Sequence, residues 1–210
     1  MKLDWAIRLQ EELAARLILQ WKGGRVCLVG AADCSFDLEG RRVGAAAVVM
    51  TLPGFEVVSS AEAVRRVSMP YIPGFLSFRE GPAYLEVLCK LDRWPDVMLF
   101  DGNGIAHPRK MGLASHIGVL LDIPTVGCAK TAFFPYRPPA EKRGSCTVYK
   151  NRKGESVGLC LRTRSAVRPV FVSLGHRTDL RLARKVILDC SRFRVPEPLR
   201  EAHRRSREIF

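Results

Sequence analysis

The chain has 210 residues, 47% of them hydrophobic and 26% charged, with 34 Lys and Arg against 21 Asp and Glu, a formal charge of +13 and a pI near 9.9. That size suits one domain spanning 1–210 with a core of its own, and excludes a short module that needs staples. The basic excess points to a polyanion, nucleic acid before membrane, because there is no basic amphipathic anchor and no apolar run of the ~20 residues a bilayer requires.

Residues 3–21 place Leu3, Ile7, Leu13, Leu17 and Trp21 at helical spacing, and Gly23-Gly24 is the expected stop. The first twenty residues carry charge throughout, so no leader is expected. Strands are expected at 25–36, interrupted by Asp33, then at 43–52 and 55–60, linked by turns at Glu39-Gly40 and Pro53-Gly54. Pro70 and Pro73 bracket Tyr71-Ile72 and stiffen a loop that holds an aromatic outward. The pattern over 83–91 predicts a helix, with Pro82 near its first turn and Glu80 just ahead of it. Val97 to Phe100 reads as a buried strand ending on Asp101, followed by Gly102, Gly104 and the cluster His107, Arg109, Lys110. Leu113, Ile117, Leu120 and Leu121 predict a helix, and a short strand from Pro124 to Cys128 closes on Lys130. A loop and a strand pair fill 131–160, with strand patterns at 156–163 and 169–173. A helix at 180–188 and another holding His203 form a basic C-terminal segment over 180–208. The seven cysteines are odd in number and scattered without a Cys-x-x-Cys pair, so they are read as reduced, buried and cytoplasmic.

Asp101 alone would read as a helix cap or turn residue. The element order changes that. Three hairpin-linked strands followed by helix, strand, helix and strand resemble the ribonuclease H-like fold, an α/β arrangement with a mixed central sheet flanked by helices. In that fold the first and fourth strands are parallel neighbours, which would set Asp33 beside Asp101. Two such carboxylates repel each other unless a cation lies between them, and Mg²⁺ explains the pair better than core packing does.

Five segments, AADCSF (31–36), PYIPGFLSFRE (70–80), DGNGIAHPRKMGLASHIGVLLDIPTVGCAK (101–130), GHR (175–177) and PEPLREAH (196–203), resemble the successive motifs of endonuclease V. The resemblance implies a Mg²⁺-dependent enzyme, with Mn²⁺ able to substitute, that recognises deoxyinosine in DNA. It would hydrolyse the second phosphodiester bond 3′ to the lesion, leaving 3′-hydroxyl and 5′-phosphate ends. It assigns Asp33, Glu80 and Asp101 to the metal, and adds His107, Lys130 and His203 to the catalytic set. Tyr71, with Ile72 and Pro73, corresponds to a wedge that fills the space of a flipped base. Gly74, Leu76, Gly102 and Gly104 correspond to the base pocket, while Arg79 and Arg109 are expected on phosphates. Three positions depart from the pattern or vary in it: Asn103 where relatives often carry His or Gln, Cys34 beside a ligand, and His203 where relatives also carry Asp. A monomer is expected, without membrane contact. The competing readings are a ribonuclease acting on inosine-containing RNA and a nucleic-acid-binding module without catalysis. A small-molecule phosphatase is disfavoured because its nucleophilic Asp would have to stand at position 99, which is Leu.

Overall fold

In the computed structural model, which describes residues 3–210, an eight-stranded sheet runs through the centre of the chain. Strands β1 (Leu28–Phe36), β2 (Arg42–Thr51) and β3 (Val57–Arg66) form the antiparallel meander. The first turn is set by chemistry: Asp37 Oδ1 accepts from the Arg41 and Arg42 amides at 2.8 and 3.1 Å, and Gly40 takes a left-handed φ of +65°. Strand β4 (Val97–Phe100) then lies parallel to β1, helix α3 (Leu113–Leu121) crosses over, and β5 (Thr125–Ala129) lies parallel to β4. Beyond β5 the sheet turns antiparallel again through β8 (Val170–Leu174), β7 (Ser156–Leu161) and β6 (Cys146–Lys150), giving the order β3-β2-β1-β4-β5-β8-β7-β6. This is the mixed sheet of a ribonuclease H-like fold. The strand pair expected over 131–160 is β6 with β7; β6 has no sharp bounds in sequence because Tyr149 is its one buried side chain, so period-2 patterning is nearly absent.

Helices cover both faces. Helices α2 (Leu76–Cys89) and α3 pack on one, through Ala83, Tyr84, Val87, Leu88 and Ile117. Helices α4 (Leu180–Asp189) and α5 (Glu197–Arg207) pack on the other, through Leu182, Val186, Ile187, Leu199 and Ala202. Strand β2 is therefore buried on both sides, and its run Ala45-Ala46-Ala47 lets α2 and α5 approach closely.

Two helix boundaries differ from expectation. The first helix, α1, spans Asp4–Ala14 and does not reach residue 21. Leu17 and Trp21 still pack on the core, but from an irregular segment. There the Ile18 amide donates to His176 Nδ1 at 3.3 Å and the Ile18 carbonyl accepts from the Arg177 amide at 2.6 Å. Tertiary partners thus replace the helical ones. Helix α2 starts at Leu76, so Pro82 lies inside it and Glu80 is helical. The missing Pro82 N–H weakens one turn, and burial of Tyr84, Val87 and Leu88 carries the helix through. The cysteines also divide: Cys128, Cys160 and Cys190 are buried, Cys34 partly so, while Cys27, Cys89 and Cys146 are exposed, all as free thiols. Among the described residues no helix is long and apolar enough to cross a membrane.

Candidate active site and nucleic-acid interface

The parallel register that pairs Ala32 with Phe100 carries Asp33 and Asp101 forward together, one position further along each strand. This is the carboxyl edge of the sheet, where open α/β sheets place their sites. Asp33 is nearly covered, and its Oδ2 receives His203 Nδ1 at 2.7 Å and Ser206 Oγ at 3.2 Å, both from α5. Asp101 Oδ2 is paired with Lys130 Nζ at 2.5 Å. Glu80 reaches the same region from α2. Burial, joined by the charges of Asp33 and Asp101 and opposed by Arg79, pushes its carboxyl up to about 8. Three carboxylates from three elements are therefore close enough to feel one another.

Asp33 has an imidazole beside it and Asp101 an ammonium, while the third negative charge is suppressed by a proton on Glu80. Among the described residues no three His, Cys, Asp or Glu side chains stand ready as a metal ligand set. The side chains are instead turned towards His203 and Lys130. The donor set nevertheless suits a hard divalent cation: all three groups are carboxylates, and their mutual repulsion is what such an ion relieves. Cys34 stays a thiol here, because burial and then the Glu80 charge push it up.

Other predicted residues gather elsewhere. The Gly74 carbonyl, in a turn with φ +82°, accepts from His107 Nε2 at 3.0 Å, Gln10 Nε2 at 3.1 Å and Arg109 Nη2 at 3.2 Å. His107 Nδ1 accepts from the Arg109 amide at 3.2 Å, so both ring nitrogens are occupied and neither is free for a phosphate. Arg109 is held by Gln10 Oε1 at 2.6 Å and lies over the Phe75 ring at 4.7 Å. His107, expected in the catalytic set, and Arg109, expected on phosphate, both bond the Gly74 carbonyl and brace that turn. Gly104 is buried, and its amide donates to Ser173 Oγ at 2.7 Å while its carbonyl accepts from Gly112 at 3.0 Å, so its backbone is spent inside the fold. Gly102 and Leu76 remain partly exposed near the carboxylates. Tyr71 projects with 63% of its surface exposed, beside exposed Pro73, and Ile72 packs back on Met69 and Phe75. Arg79 stacks on Phe36 at 4.4 Å.

Three supporting residues escaped the sequence reading. Gln10 sits on the first helix with no motif around it. Ser206 carries a weak signal, one turn after His203 on the same helix face. Arg194 donates to the Lys130 carbonyl at 2.6 Å and to the Arg168 carbonyl at 3.0 Å, but in sequence it is one of many arginines in a basic tail.

The buried histidines set an acid limit. Burial lowers both His107 and His116 to about 4; His116 Nδ1 lies 2.8 Å from Ser77 Oγ. The unfolded chain takes up these protons near pH 6.5 and the folded chain only near 4. Stability is therefore complete above pH 6.5 and is lost as pH falls towards 4, by on the order of 3 kcal/mol per ring. Melting temperature should fall steadily between pH 7 and pH 4.5; a flat profile across that range would contradict two neutral buried rings.

The sequence profile of the family described as Endonuclease V matches residues 11–204. Endonuclease V of Methanothrix thermoacetophila is 48% identical over 202 residues, covering 95% of this chain and 88% of that protein. Among solved structures, Endonuclease V of Streptomyces avermitilis superposes with a TM-score of 0.95 at 42% identity, covering 99% of this chain and 92% of that one. Endonuclease V of Ciona intestinalis, in complex with a 24mer DNA containing an inosine followed by a ribo-adenosine, superposes with a TM-score of 0.86 at 28% identity, covering 98% and 96%.

Proposed function

The chain belongs to the endonuclease V family, a family of nucleases, and from that premise we propose that it is a Mg²⁺-dependent repair enzyme that nicks DNA at the second phosphodiester bond 3′ to deoxyinosine. The observation that carries the reading is the meeting of Asp33, Glu80 and Asp101 at the sheet edge, with Glu80 driven to about 8 by burial and its two acidic neighbours. These three side chains would hold the cation, with Mn²⁺ able to replace Mg²⁺. When bound, it would supply Lewis-acid charge next to the phosphate and make water a better nucleophile at neutral pH.

The chain's own groups account for the rest. Lys130, whose Nζ lies 2.5 Å from Asp101 Oδ2, would bring positive charge to the phosphate oxygens. His203 keeps Nδ1 on Asp33, which orients the ring and leaves Nε2 to give or take a proton. The Gly74 turn, braced by Gln10, His107 and Arg109, forms a rigid edge of a base pocket, and Tyr71 on its proline-stiffened loop fills the vacated stack. Arg79 adds charge for the strand. The free thiols, exposed ones included, suit a reducing cytoplasm.

A second reading, cleavage of inosine-containing RNA, is favoured by one observation: the oligonucleotide bound to the Ciona relative has a ribo-adenosine after the inosine. Matched oligonucleotides carrying inosine or adenine, as DNA and as RNA, separate the two. DNA with inosine should be nicked at the second phosphodiester bond 3′ to the lesion, directly after the nucleotide that follows inosine, in Mg²⁺ and not in EDTA. Equal cutting of the adenine strand, or a cut at another position, would remove the assignment.

A further inference from the structure

A cleft of about 360 Å³ opens beside the acidic cluster. Asp101, Lys130, Phe193, Arg194, Arg200 and His203 line it together. Among the exposed aromatic side chains of the described residues, Phe193 is the one on this cleft, with 45% of its surface open. Two guanidiniums attend its ring, Arg200 at 4.0 Å and Arg164 at 5.9 Å, and Arg200 is itself steadied by Glu197 at 3.5 Å. Leaving a phenyl ring half in water forfeits burial that the nearby core of α4 and α5 offers. A half-exposed ring flanked by cations is instead what a nucleotide uses, its base stacking on the aromatic in place of a guanidinium and its phosphate meeting the guanidiniums.

The place of this ring in the fold gives its register on a strand. The Gly74 turn leads into α2, which packs on one face of the sheet; Phe193 leads into α5, which packs on the other. The carboxylates lie between them at the edge. A strand whose damaged base sits by Gly74 and whose phosphate lies over Asp33 and Asp101 therefore continues to Phe193.

Building on the nuclease reading above, we propose that Phe193, braced by Arg200, is the stacking platform for the nucleobase just beyond the scissile phosphate, on the side away from the inosine pocket. Base stacking of this kind tolerates any sequence, because every base has a π-face. The platform therefore adds grip on the departing strand without adding sequence preference.

The test pairs a protein change with a substrate change. Single-turnover nicking is measured on two inosine strands, one intact and one abasic at the second nucleotide 3′ to inosine, with wild type, Phe193→Ala and Phe193→Trp. Wild type should cut the intact strand on the order of tenfold faster than the abasic one. Phe193→Ala should cut both at the wild-type abasic rate, and Phe193→Trp should restore the difference. A loss in Phe193→Ala that is equal on both strands, or no loss on either, overturns the platform while leaving the nuclease reading standing. A wild-type chain that nicks neither inosine strand overturns that reading and the platform with it.

Discussion

Replacing Asp101 with asparagine is expected to slow nicking of an inosine-containing duplex by about three powers of ten, with affinity for the same duplex changed only a few-fold. The substitution keeps the shape of the side chain and an oxygen for Lys130, and it leaves Phe100 and the β1–β4 pairing undisturbed. What it removes is one of the three carboxyl groups proposed to hold the cation. It also removes one of the two charges that hold the proton on Glu80. Binding should survive because the strand is held by positive groups and by the base pocket, and the loss of a negative charge reduces repulsion of phosphate. The measurement is single-turnover nicking beside fluorescence anisotropy of the labelled duplex. A rate within tenfold of wild type would mean that Asp101 does not hold a catalytic cation. Loss of binding in parallel with rate would instead mark the residue as part of the fold.

Gly104→Ala should be severely destabilising, although the substitution adds one methyl group. A Cβ at this position would lie 1.8 Å from the Leu174 carbonyl oxygen and 2.5 Å from its carbon. Both are backbone atoms of β8, so no rotamer change relieves the clash. The same contact is fixed by hydrogen bonds, Gly104 N–H to Ser173 Oγ at 2.7 Å and Ile105 N–H to the Leu174 carbonyl at 2.7 Å. Separating the segment after Asp101 from β8 is expected to cost at least about 3 kcal/mol, which lowers the melting temperature by on the order of 10 °C in a chain of this size. Nicking should fall as well, because that segment carries Asp101. Gly24→Ala is the matched control: nothing lies within 4 Å of a Cβ there, and its melting point should match wild type. A Gly104→Ala protein that melts within about 2 °C of wild type would show that the two backbones can part cheaply.

Asp33 and Asp101 were legible because each ends or interrupts an apolar segment, a position where a charge needs a reason, whereas Glu80 entered the set only through the family resemblance. Asp33 interrupts a strand of small and apolar residues, and Asp101 follows four fully buried ones. Tyr71 was legible because two prolines frame it. Helix α1 was overextended because Leu17 and Trp21 keep helical spacing while packing from an irregular segment, and spacing alone does not separate the two. Helix α2 was cut short because a proline in sequence reads as a boundary, whereas burial of the following turns outweighs one lost hydrogen bond. The resemblance puts His107 in the catalytic set and Arg109 on phosphate, and nothing in the local sequence shows that both side chains bond the Gly74 carbonyl. Gln10, distant in sequence, holds the Arg109 guanidinium and shares the Gly74 carbonyl with both side chains.

By itself, the order of residues determined the local matters: where strands alternate or run apolar, which turns need glycine, proline or aspartate, and which motifs mark the family. These depend on neighbours along the chain, and short-range sterics and solvation decide them. Only the tertiary structure decided which groups meet. The parallel pairing of β1 with β4 levels Asp33 with Asp101, α2 and α5 bring Glu80 and His203 from opposite faces, and Phe193 comes to line the same cleft as Lys130. Such meetings follow from how helices and strands close over a shared core, and that packing joins residues whose separation along the chain carries no signal of contact.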